Sequence, residues 1–108
     1  MNPTTDPIAE VTDMAMVDFI ASATAEAASP ALYDLPLHFF TDRFTTDHAR
    51  KIITDAYAFH QDQGDTPGRA AGRAGARLLR ATVVIATESL AIQVGRAVEA
   101  AYSGQRQN

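Results

Sequence analysis

The chain contains no cysteine and no tryptophan. The first absence removes disulfide frameworks, thiolate metal sites and cysteine nucleophiles from consideration. Lysine is nearly missing too. Lys51 stands alone beside the arginines, a bias expected of a high-GC bacterium or phage and uninformative about function. Long apolar runs are also lacking. The longest, Ala81 to Ala86 interrupted only by Thr82, ends at Thr87 and Glu88, well short of the roughly 20 residues that span a bilayer. The chain opens polar and acidic with Thr4, Thr5 and Asp6, where a secretory leader would be basic and then apolar. A soluble, cytoplasmic protein is expected.

Period-two alternation is absent over any useful length, and β-branched residues do not gather between turn signals, so no strand is predicted. Helix punctuation is plentiful instead. Asp6-Pro7, Ser29-Pro30 and Thr66-Pro67 each set a capping oxygen before a proline. The oxygen accepts from unpaired N–H groups of the first turn, and proline at the first helical position gives up no hydrogen bond. Thr45-Thr46-Asp47 is a fourth start, its acid suited to the positive end of the helix dipole. Gly64 and Gly104 read as stops. These signals predict a first helix from Pro7 to about Ala28. A second runs from Pro30 to Phe44 and is broken near Pro36, and a third from Asp47 to about Asp62. A fourth begins between Pro67 and Arg77 and continues to Tyr102. Taken from Pro67 it would be roughly 50 Å long, against a radius of gyration near 13 Å for a compact domain of this size. It must therefore project, or break at Gly72 and Gly75. The expectation is a single all-α domain over 1–108: a small bundle of four helices, five if Pro36 splits the second, with a long C-terminal helix. Residues 1–6 and 104–108 are expected as frayed tails and 61–76 as a flexible or kinked connector.

Much of the apolar content is alanine, which favours helix but buries little area. Most aromatics lie in the middle third, where Phe40, Phe44 and Phe59 are expected in the core. The first and last helices carry more apolar surface than one small bundle needs. Met14, Val17 and Ile20 lie away from the face made by Ile8, Val11 and Phe19. Val84, Ala91, Val98 and Tyr102 form a stripe beside the near-heptad seam of Leu79, Val83 and Leu90. Those seven residues, Met14, Val17, Ile20, Val84, Ala91, Val98 and Tyr102, are the expected interaction surface, for a homodimer or another protein partner.

Charge is uneven along the chain. Every acid except Glu88 and Glu99 precedes Gly68, whereas Arg69, Arg73, Arg77, Arg80, Arg96 and Arg106 follow it. The plain explanation is that an acidic N-terminal helix and a basic C-terminal helix pack together. Arg69, Arg73, Arg77 and Arg80 are spaced four, four and three apart and share one helical face. Arginine forks suit phosphate, so this face is a candidate for nucleic acid or another polyanion, although a net charge of −4 is unlike most such domains. Four arginines at a helix N-terminus oppose its dipole, and Asp13, Asp18, Asp55 and Asp62 are candidate internal partners.

Catalytic constellations are weak. Gly68, Gly72 and Gly75 have neither the preceding strand nor the Gly-Lys-Ser/Thr ending of a phosphate loop. His38, His48 and His60 do not converge at metal-ligand spacing. None of Ser22, Ser29, Ser89 or Ser103 sits in a Gly-x-Ser-x-Gly elbow. Neither a cofactor nor a metal is expected. The sequence reads as a non-catalytic interaction or assembly module that self-associates through its first and last helices. Polyanion binding is the alternative, and a small enzyme or ligand carrier ranks third.

Overall fold

Thr46 and Thr66 open helices as their positions predict. The Thr46 hydroxyl accepts from the Ala49 N–H at 3.1 Å and the Thr66 hydroxyl from the Arg69 N–H at 3.2 Å, with Pro67 in the first turn. In a computed structural model, backbone is described for residues 6–32 and 35–107, and side chains for 14–32 and 35–104. Every regular element among them is a helix: α1 (Asp6–Ala31), α2 (Leu37–Phe44), α3 (Asp47–Asp62), α4 (Pro67–Thr82) and α5 (Glu88–Gln107). Replacing Thr66 with alanine is expected to cost about 1 kcal/mol, read as a lower urea midpoint with an unchanged slope.

Three boundaries differ from expectation, the simplest being the last, where α5 passes through Gly104 to Gln107 and the glycine is not a stop. Ser29-Pro30 does not start a helix, because α1 runs through Pro30 to Ala31. Ala25, Ala28 and Leu32 are all buried, so the apolar spacing of three and four carries the helix onward. Pro30 gives up the N–H that would bond to the Glu26 carbonyl, and the helix ends one residue later. The Ser29 hydroxyl donates instead to the Leu35 carbonyl and closes the turn into α2.

The third difference reorganises the C-terminal half. The helix continues through Gly72 and Gly75 and breaks at Val83–Thr87. Val83 is extended, with φ −123° and ψ 101°. Thr82, Val83, Val84 and Ile85 form a β-branched run whose side chains lose rotamer freedom in a helix. Thr87 then caps α5 by accepting from the Leu90 N–H at 3.2 Å, with Glu88 in the first turn. The single projecting helix thus becomes a hairpin, and the radius of gyration is 13.6 Å.

That hairpin is the most extensive helix pair, and α3 packs on α4 beside it. Glycine makes the close approach of α4 and α5 possible. A Cβ placed on Gly72 would lie 2.6 Å from the Gly95 carbonyl oxygen, and one on Gly95 2.9 Å from the Gly72 carbonyl oxygen. Each glycine costs its helix about 1 kcal/mol relative to alanine. The return is backbone-to-backbone packing that no side chain would permit.

The core is drawn from every helix. Ile20, Phe40, Phe44, Ile53, Leu78, Leu79, Val94 and Val98 are its largest fully buried apolar side chains. Its aromatic centre is the Phe39–Phe40 and Phe40–Phe44 pair of contacts, at 5.0 and 5.9 Å between centroids. Val17, Ile20, Ala91 and Val98 are therefore core residues and not an interaction surface. The surplus apolar faces of α1 and of the C-terminal hairpin cover each other within one copy. Half-buried Phe19 and Tyr102 meet edge-on at 5.8 Å in the same α1–α5 contact. Met14 and Val84 do remain exposed.

Candidate docking groove

On a helical wheel, Ala71, Ala74 and Leu78 occupy one side of α4 and Arg69, Arg73, Arg77 and Arg80 the opposite side. The first set is buried and the second exposed. The buried side faces α1: a Cβ on Gly75 would lie 2.7 Å from the Thr24 hydroxyl. On the outer side, α3 and α5 flank α4 without packing on each other among the described residues. The result is an open groove of about 1000 Å³ with the outer face of α4 as its floor.

One wall of the groove is α3, with Ile52, Asp55, Ala56, Phe59 and His60. The other is α5, with Ile92, Gly95, Arg96 and Glu99. Phe59 is 58% exposed and Ile92 42%. Sequence periodicity places Phe59 on the core stripe of α3, but the core ends at Ile53 and the stripe continues along the groove wall. Five arginines line this space against Asp55 and Glu99, so the groove is positive on an otherwise acidic molecule.

The arginines are unevenly partnered. Arg73 Nε lies 3.1 Å from Asp65 Oδ2 and Arg69 Nε 4.0 Å from Asp65 Oδ1. His60 Nδ1 approaches the same carboxylate at 3.5 Å. Arg80 makes a two-pronged contact with Glu88 at 2.8 and 2.7 Å. Those hydrogen bonds, aided by the arginine charge, hold the Glu88 carboxyl below its ordinary value despite an opposing desolvation effect. The side chains of Arg77 and Arg96 make no ion pair or hydrogen bond among the described residues.

Sequence reasoning places the four α4 arginines together, and they are together. It misses their partners. Asp18 pairs with Arg50 at 2.6 Å and Asp55 with Lys51 at 3.1 Å. Asp62 has no ion-pair partner among the described residues, and the side chain of Asp13 lies outside them. The α4 arginines that are paired thus hold carboxylates within eight residues of themselves, Asp65 and Glu88, and the acid of α1 that is paired holds Arg50 of α3. Arg96, Phe59 and Ile92 were also missed as groove residues. Only the break at Val83–Thr87 swings α5 back alongside α4, and without it Arg96 lies far from Arg77.

A smaller depression of about 330 Å³ lies where α1, α2 and α3 meet, and the Asp18–Arg50 pair occupies its edge. No set of three or more potential ligand side chains able to hold a metal ion occurs among the described residues. His38 and His48 are exposed on separate helices. Among the described residues no helix is long and apolar enough to cross a membrane. No family model matches the chain, and no curated protein or solved structure is significantly similar to it.

Proposed function

We propose that this protein is a non-catalytic interaction module whose groove takes an acidic amphipathic helix of a protein partner. One observation carries the reading. Arg77 and Arg96, the two groove arginines without a partner among the described residues, share a single open groove with exposed Phe59 and Ile92. A helix lying in a groove is held by apolar anchors on its flanks, and charge sets its register and speeds encounter. The walls supply the anchors and the floor the charge.

Nucleic acid fits less well. Arg73 and Arg80 already hold carboxylates, and phosphates running beyond the groove would meet a molecule of net charge −4. The two readings separate in one titration. Fluorescence anisotropy is followed with a labelled helical peptide bearing acids on one face and leucines on its flanks. The acid-to-glutamine version of that peptide and a single-stranded DNA of equal length run in parallel. The acidic peptide is expected to bind at least tenfold or so more tightly than the neutral one, as close charge pairs at interfaces support. DNA binding tighter than peptide, with a steep salt dependence, overturns the reading in favour of polyanion recognition.

A further inference from the structure

Resting on that reading, we infer that the helix taken by the groove is the N-terminal segment of α1 from a second copy of this chain, so that copies associate head to tail. The chemistry is in the sequence. No lysine or arginine precedes Arg43, and Asp6, Glu10 and Asp13 are spaced four and three apart, which puts three carboxylates on one helical face. The groove floor has the same period, with Arg69, Arg73, Arg77 and Arg80 spaced four, four and three. Arg77, with Arg96 beside it, is the charge there that holds no carboxylate of its own among the described residues. Met14 lies on the flank of the segment's acidic face, where a groove wall would meet it, and is 59% exposed. Val17 is the first buried residue of α1 among those described. From Asp6 to Met16 the helix rises roughly 15 Å, about the length of α4 from Arg69 to Arg80.

The occupant comes from another copy because a chain cannot fill its own groove. α1 is one continuous helix from Asp6 to Ala31, and its Thr24 meets α4 at Gly75, on the side opposite the arginines. To reach its own groove, the segment would have to break α1 and pass around α4. Segment and groove are different surfaces, so the contact is heterologous. It builds open chains or closed rings, the smallest ring being a pair of copies that each fill the other's groove, and the assembly depends on concentration.

Light scattering behind a sizing column, on the full chain, tests this with two variants. The groove variant is Arg77→Glu with Arg96→Glu; the segment variant is Asp6→Lys with Glu10→Lys and Asp13→Lys. Wild type is expected to rise above monomer mass with concentration, and each variant to stay monomeric. Mixed together they should form a one-to-one complex that grows no further, since only one intact groove and one intact segment remain. Circular dichroism confirms that each variant is folded. Arg77→Gln with Arg96→Gln replaces the groove variant if charge reversal unfolds it. A monomeric wild type that still binds the acidic peptide overturns this inference and leaves the proposed function standing. Loss of peptide binding by wild type removes both. Self-association that survives in both variants, or a mixture that stays monomeric, also overturns it.

Discussion

Gly72→Val is expected to leave the chain largely unfolded near room temperature, and Gly72→Ala to lower its stability despite adding helix propensity. The two effects of the alanine have opposite signs. Replacing a mid-helix glycine adds about 1 kcal/mol of helix stability. Forcing a methyl into a filled contact costs about 1–3 kcal/mol. Overpacking wins here because of what the methyl meets. Its position is 2.6 Å from the Gly95 carbonyl oxygen and 2.9 Å from Glu99 Cβ. Neither is the free end of a flexible side chain, so α5 itself must move. Moving it opens gaps along the largest interface in the molecule, and a radial gap of even half an ångström forfeits about a quarter of each contact's attraction. Valine adds two more methyls at the same point. Domains of this size have only about 5–15 kcal/mol in total, so a loss of several kcal/mol removes most of the folded population. Gly104→Ala is the control. Nothing lies within 4 Å of a Cβ there, and it should be neutral or stabilising by up to about 1 kcal/mol. Urea titrations of the three variants give the comparison, and a Gly72→Ala chain as stable as wild type would show that the helices do not approach this closely.

The same glycines show what was legible in the sequence. Read singly, Gly72 and Gly75 weaken a helix, and a break there is the natural inference. The purpose of Gly72 becomes visible only once Gly95 is known to lie opposite, a pairing of residues 23 apart in a chain with no internal repeat. That of Gly75 becomes visible only once Thr24 of α1 is known to face it. The true break is at Val83–Thr87, where β-branched residues and the Thr87-Glu88 start signal sit together. That local signal is present in the sequence but is masked by an apolar periodicity that runs unbroken from Leu79 to Val98. Caps read well because they are local: Thr46 and Thr66 act within three residues of themselves. Burial reads poorly because it is not. Val17, Ile20, Ala91 and Val98 look surplus to a continuous long helix and are needed once that helix folds back on itself. The four arginines fall between these cases. Their shared face follows from spacing alone, and the groove around them follows from the fold.

Phe59→Ala is expected to weaken binding of the acidic helix by roughly 30-fold or more, in keeping with the loss of an aromatic anchor at an interface centre, while leaving the melting temperature nearly unchanged. The pairing of those two results distinguishes docking from structure. A buried phenylalanine truncated to alanine costs about 3–5 kcal/mol of stability, but Phe59 is 58% exposed and its ring contact is with neighbouring His60 at 5.2 Å. Removing it takes away little that holds the fold and, among the described residues, the one phenyl ring that lines the groove. Arg77→Ala should behave differently in kind. A charge at the groove floor acts mainly on the association rate and on its sensitivity to salt, so its effect should shrink as ionic strength rises. The Phe59 effect should persist at high salt, because apolar burial is not screened. The double variant then gives the coupling between wall and floor. If one helix touches both at once, the two losses should depart from additivity, as they do for residues sharing a partner. Strict additivity of two real losses would show wall and floor contributing independently. A Phe59→Ala chain that binds as well as wild type would instead place the ligand on the arginines alone and return the groove to simple polyanion binding.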